Sequence, residues 1–224
     1  MNAITQPVKP AAERAPSYYS ASLNFESDYP TLQGSVTVDV AIIGAGQTGL
    51  AAAFGLRREK VGNVAIFDRA EPGATGCWTV FARMRTLRTP KHVSGPDLGV
   101  AALTPRAFFE ARDGLQAWED LHKIGRVDWQ RYLDWYAQVL ALPIRHEHEL
   151  LSIGHDPESD LLLLRFRTPE GERVVKARKM VLATGMDGTG AWSIPAPFDG
   201  LPGERVSHTS GHVDFEALKG KRIL

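Results

Sequence analysis

Three glycines and one acid carry the most specific chemistry in this sequence. Gly44, Gly46 and Gly49 stand in the spacing Gly-x-Gly-x-x-Gly, and Asp68 follows Gly49 by 19 residues. Each position suits one part of a nucleoside diphosphate. Gly44 permits a tight turn, Gly46 lets a diphosphate approach a main chain with no Cβ, and Gly49 lets a helix pack closely on a strand. The N–H groups of the first helical turn, at Gln47 and Thr48, act with the helix dipole to favour phosphate charge. A carboxylate at 68 accepts hydrogen bonds from ribose hydroxyls and repels a 2′-phosphate, which disfavours NADP at this site. Arg69 is a further candidate contact, and one Arg beside an intact acid does not reverse that preference. The bland alternative is a glycine-rich turn in an unrelated fold.

These residues need a strand, a helix and a second strand to position them. Val38–Ile43 is mostly apolar and β-branched, as a strand buried on both faces requires. A helix is predicted from about 47 to 60 and a second buried strand over 64–67, which completes one βαβ unit. Residues 69–104 are rich in breakers. Helices follow between about 105 and 140. Pro105 suits a first helical position, and an apolar stripe runs through Trp129, Tyr132, Leu133 and Tyr136 behind Asp128 as a cap. Turns at 154–160 and 169–171 predict a small antiparallel meander over about 144–177. "KMVLATG" at 179–185 reads as another buried strand ending in glycine, and "LKGKRIL" at the end as the opening of one more. Residues 1–37 lack periodicity and read as a partly disordered arm.

Composition narrows the classes. Lys and Arg total 26, as do Asp and Glu, so no net field draws the chain to nucleic acid or an anionic membrane. Cys77 is the only cysteine, which excludes a disulfide within one chain and fits a cytoplasmic setting. No apolar run reaches membrane-spanning length, and no metal site is expected.

The order of these features resembles the two-dinucleotide-binding-domain flavoproteins, most closely the flavin-containing and Baeyer–Villiger monooxygenases. The resemblance rests on 44–49, on Asp68, on "GATGCW" at 73–78 and on Ala183–Thr184–Gly185. It implies an α/β fold: a Rossmann-like FAD-binding domain over 38–200, a parallel sheet with helices on both faces, a helical insertion and a β-meander. It also implies FAD as cofactor, with Asp68 on the adenosine ribose. Gly76 and Trp78 would lie near the flavin, residues 183–185 would pass close to it, and the backbone at Leu150 would touch adenine. The tail at 201–224 resembles a connector into an NAD(P)H-binding domain that the chain lacks. Leu201, Gly203 and His208 are its nearest match to the group's Phe-x-Gly-x-x-x-His, with one extra residue before the histidine. The implied activity is that of an NAD(P)H-dependent monooxygenase acting on a small organic substrate, of which this chain reads as a fragment whose cut edge could be covered by association. A non-catalytic nucleotide-binding chain and a plain NAD-dependent dehydrogenase remain as alternatives.

Arg88 and Lys91, in the basic run "RMRTLRTPKH", could reach the flavin, its diphosphate or an anionic substrate; equally, they could lie in a solvated or ion-paired loop. Cys77 has no CxxC partner, so a packed residue is preferred over a redox thiol.

Overall fold

The computed structural model describes residues 38–93, 95–185, 188, 194–198, 200–208, 211 and 213–223. The arm expected over 1–37 lies outside them. Six strands form one sheet: β1 (Val38–Ile43), β2 (Val64–Phe67), β3 (Ile144–Arg145), β4 (Glu149–Asp156), β5 (Leu161–Thr168) and β6 (Gly171–Leu182). Their spatial order is β3-β2-β1-β6-β5-β4. The first four are parallel neighbours, with Ile42 opposite both Ile66 and Val181. β4, β5 and the first half of β6 pair antiparallel.

Two strands, β3 and β6, differ from the sequence reading for reasons of pairing. Ile144–Arg145 adds to the parallel edge beside β2 instead of opening the meander. The meander's last strand and the "KMVL" strand are one: β6 pairs with β5 up to Ala177 and with β1 from Ala177 onward. Lys221–Ile223 form no strand among the described residues.

Helix α1 (Gln47–Arg58) follows β1, and α2 (Pro105–Asp113), α3 (Leu115–Asp120) and α4 (Arg126–Val139) follow in the insertion. Thr104 caps α2, accepting from Ala107 N at 3.2 Å, with Pro105 at the first position. α4 starts before Asp128, with Gly125 as its N-cap, which leaves Asp128 in the first turn. The apolar side chains of all four helices join one cluster with Val40, Ile42 and Ile66. The opposite face, Ala41, Ile43, Ala65 and Phe67, packs on Leu164, Phe166, Val175 and Ala177. Helices were expected on both faces; among the described residues strands cover the second one, because the long β6 carries the meander round to it. Phe67 and Phe166 stack there at 4.5 Å. Within the helical face, Tyr132 and Tyr136 are fully buried and give their hydroxyls to the carbonyls of Leu103 and Pro96, at 2.8 and 2.6 Å. Among the described residues, no helix is long and apolar enough to cross a membrane.

Candidate functional site

The parallel strands β1, β2 and β6 end side by side, and the chain segments leaving them meet. Gly44 N donates to Phe67 O, and Ala183 N to Ile43 O, both at 2.8 Å. Gly44 takes φ +107°, and a Cβ there would stand 2.3 Å from the Ala183 carbonyl oxygen. A Cβ on Gly49 would stand 1.8 Å from the Gly44 oxygen. These two glycines close the strand–helix turn. Gly46 is different: its φ is −71°, and a Cβ there would meet only the Gly76 Cα, at 3.7 Å. Gly76, at φ +77°, comes from the separate loop after β2. Two backbones without side chains thus face each other at the start of α1.

That helix end is electrostatically prepared for an anion. Gly46 is the N-cap, no side chain caps the turn, and its first turn holds no acid, while Arg57 and Arg58 sit in the last. The amides of Gln47 and Thr48 belong to the first turn, whose N–H groups lack intrahelical acceptors. A diphosphate supplies what the sequence withholds.

Asp68, 9 % exposed, stands at the exit of β2 and faces the glycine turn. One carboxylate oxygen accepts from Ala45 N at 2.6 Å and the other from Ala70 N at 2.8 Å. Its own N–H donates to Arg145 O at 3.0 Å, and its carbonyl accepts from His148 N at 2.8 Å. The acid is therefore fixed in orientation, and each oxygen keeps lone-pair capacity for a ribose hydroxyl. Arg69 beside it is exposed. Next to the turn, on its helical side, a cavity of about 410 Å³ is lined by Ala45, Leu50, Pro72, Thr75, Asp134 and His146, among others. Asp134 carried no motif and was missed by the sequence reading; only contact across the fold brings it beside Thr75 and His146.

The remaining candidates divide. Ala183, Thr184 and Gly185, the last at φ +75°, leave β6 directly against Gly44. Trp78 is half-buried against the helical core, 6.3 Å from Trp129 at 75°. Leu150 lies opposite Phe166 at a register shift in β4, with its side chain against the cluster around Phe67. Lys91 is not brought to the site: its ammonium donates to the carbonyls of Trp118 and Glu119, at 2.5 and 3.0 Å, and lies 4.9 Å from the Trp118 ring centre. It caps the end of α3, where cations are favoured by exposed carbonyls. Arg88 is exposed, and among the described residues its guanidinium has no hydrogen-bond or ion-pair partner. Burial pushes the Cys77 thiol up from its ordinary range, which favours the unreactive protonated form.

Residues 114–224 match the family of L-lysine 6-monooxygenase/L-ornithine 5-monooxygenase. An FAD-dependent urate hydroxylase from Xanthomonas campestris pv. campestris is 46% identical over 186 residues, 83% of this chain and 39% of that protein. The chain thus spans about two fifths of the length of that curated relative. Among solved structures, an ornithine hydroxylase from Pseudomonas aeruginosa superposes with a TM-score of 0.65 at 21% identity, over 78% of this chain and 45% of that one. A cadaverine monooxygenase from Erwinia amylovora, solved with FAD bound, gives 0.61 at 20% identity, over 78% and 41%. The fold is that of the FAD-binding domains of flavin monooxygenases, and these relatives bear out the resemblance to flavin-dependent monooxygenases.

Proposed function

We propose that this chain is the FAD-binding portion of an NAD(P)H-dependent flavin monooxygenase acting on a small organic substrate. The observation that carries the proposal is the facing of Gly46 and Gly76 over an uncapped helix start, with the Asp68 carboxylate fixed alongside. Gln47 and Thr48 would donate main-chain N–H groups to the diphosphate, Asp68 would accept from the adenosine ribose, and Arg69 would lie at the adenosine end. Leu150 would pack near the adenine, while Gly76, Trp78 and Ala183–Gly185 would border the flavin. The bound flavin would supply two-electron chemistry between a nicotinamide and dioxygen; the protein's part is binding, orientation and exclusion of water. The first substrate to test is a purine-like heterocycle, because the relative at 46% identity is named for urate.

The test is direct. Purified protein should carry, or take up, a yellow flavin that denaturation releases as FAD. A colourless folded protein that ignores added FAD and binds NAD would reject the proposal in favour of a dehydrogenase-type site. Flavin binding without NAD(P)H oxidation, in a protein carrying every domain of its relatives, would leave a non-catalytic FAD carrier.

A further inference from the structure

The loop that presents Gly76 is anchored by the first turns of α4. Arg126, the first residue of α4, sends Nη1 to the carbonyl oxygen of Trp78 at 2.5 Å. The main chain just before it forms a β-bridge with the same excursion: Thr86 pairs with Gly125, Leu87 N donates to Ile124 O at 2.8 Å, and Arg126 N donates to Arg85 O at 3.2 Å. One turn further on, Gln130 Nε2 stands 3.5 Å from Thr75 Oγ1 and 2.9 Å from Asp134 Oδ1. Between the two, the Trp129 ring meets Trp78 edge to face. Residues four apart on a helix share a face, so Arg126 and Gln130 bracket Thr75–Trp78 from one side.

Both residues are polar where the packing calls for apolar side chains, and both reach the loop. Gln130 is 2 % exposed in a helix stripe that otherwise buries Trp129, Tyr132, Leu133 and Tyr136. Burying an amide costs free energy unless it is hydrogen-bonded, and leucine would pack there without that cost. Arg126 is half-buried and forms no ion pair among the described residues, so its guanidinium is spent on a main-chain oxygen.

We propose that Arg126 and Gln130 are positioning residues that hold Thr75–Trp78 against the glycine turn and so set the geometry in which the flavin is bound. This rests on the FAD-binding reading above. Neither residue touches the cofactor in this account; each acts through the loop that carries Gly76.

The experiment is FAD titration of the purified chain with flavin circular dichroism and thermal melting, for wild type, Arg126→Ala, Arg126→Lys and Gln130→Leu. Arg131→Ala, on the exposed side of the same helix, is the control. Arg126→Ala and Gln130→Leu should each weaken FAD by about tenfold or more, the scale of a lost hydrogen bond to a charged or buried partner, and should alter the flavin dichroism. Arg126→Lys should recover most of the affinity. Gln130→Leu should lower the melting temperature by only about 2–4 °C, since leucine packing offsets the orphaned Thr75 hydroxyl, and a larger loss with wild-type flavin dichroism would mark a purely structural role. Wild-type affinity and dichroism in both Arg126→Ala and Gln130→Leu would overturn the proposal. Should Arg126→Ala fail to fold, Gln130→Leu decides alone by the same criterion. Should wild type itself refuse FAD, the reading of the site fails first. Hydrogen exchange over residues 75–87 then tests the anchor: faster in Arg126→Ala supports it, unchanged refutes it.

Discussion

The same substitution placed three residues apart should separate folding from ligand binding. In Gly49→Ala the new methyl would lie 1.8 Å from the Gly44 oxygen, a main-chain atom that no rotamer change can move. The start of α1 must shift away from β1, and that overpacking costs about 3 kcal/mol, partly offset by a gain of up to about 1 kcal/mol in helix propensity. A net loss of about 2 kcal/mol lowers the melting temperature by roughly 4–8 °C in a chain of this size. In Gly46→Ala the methyl meets only the Gly76 Cα at 3.7 Å, ordinary contact, and the backbone φ of −71° suits alanine. The poorer N-cap and the smaller unfolded-state entropy nearly cancel, leaving a net change within about 1 kcal/mol. The methyl does, however, occupy the approach to the diphosphate, and FAD should weaken by about tenfold or more, about 1.4 kcal/mol. The assays are differential scanning fluorimetry without FAD and a fluorescence titration with it. Wild-type FAD affinity in Gly46→Ala, or an unchanged melt in Gly49→Ala, would refute the division of labour among these glycines.

Asp68→Asn should weaken FAD and lower stability by about 1–3 kcal/mol, because the amide nitrogen must face a main-chain N–H that the carboxylate now satisfies; denaturant melts and FAD titration measure both. Lys91→Met should cost about 1 kcal/mol by uncapping the end of α3 while leaving FAD affinity unchanged, and a loss of flavin binding would restore Lys91 to the site. Burial first, and Asp97 second, push the phenols of Tyr132 and Tyr136 above their ordinary range. A raised acid pKa gives stability that is complete below about pH 10, the unfolded value, and is lost as pH climbs from there through the raised folded values. Ultraviolet titration should therefore show these two phenols ionising only as the protein unfolds, and Tyr132→Phe should shift the alkaline transition upward. The Lys176 hydrogen bond, then those of Ser159 and Glu158 N, hold the Asp156 carboxyl below the usual range. Its contribution is present above about pH 4 and is lost at lower pH, so acid melts of Lys176→Met should lose that part of the pH dependence.

The parts of this molecule that were legible in its sequence are those whose physics is local. A β-branched run, a glycine turn, small residues on a helix and an acid at the next strand end are consecutive along the chain, so spacing alone fixes their relation in space. The site they build is largely main chain, and main-chain sites leave a signature in glycine positions. β6 resisted because one uninterrupted run, Gly171–Leu182, changes partners at Ala177 with no breaker to mark the change. β3 resisted because its two residues carry no periodicity. Lys91 was open for another reason: a lysine in a basic run has the same sequence whether its ammonium meets a phosphate or the carbonyls that end a helix, and only the fold brought α3 within reach. Gln130 shows the converse. Its amide interrupts an apolar stripe, a conflict between pattern and burial that was already visible, yet its meaning depended on Thr75, 55 residues earlier in the chain. A polar residue inside an apolar helical face is therefore the sequence signal most worth pursuing here, since its burial needs partners, and in this fold these are Asp134 one turn on, at 2.9 Å, and Thr75 on the loop facing the glycine turn, at 3.5 Å.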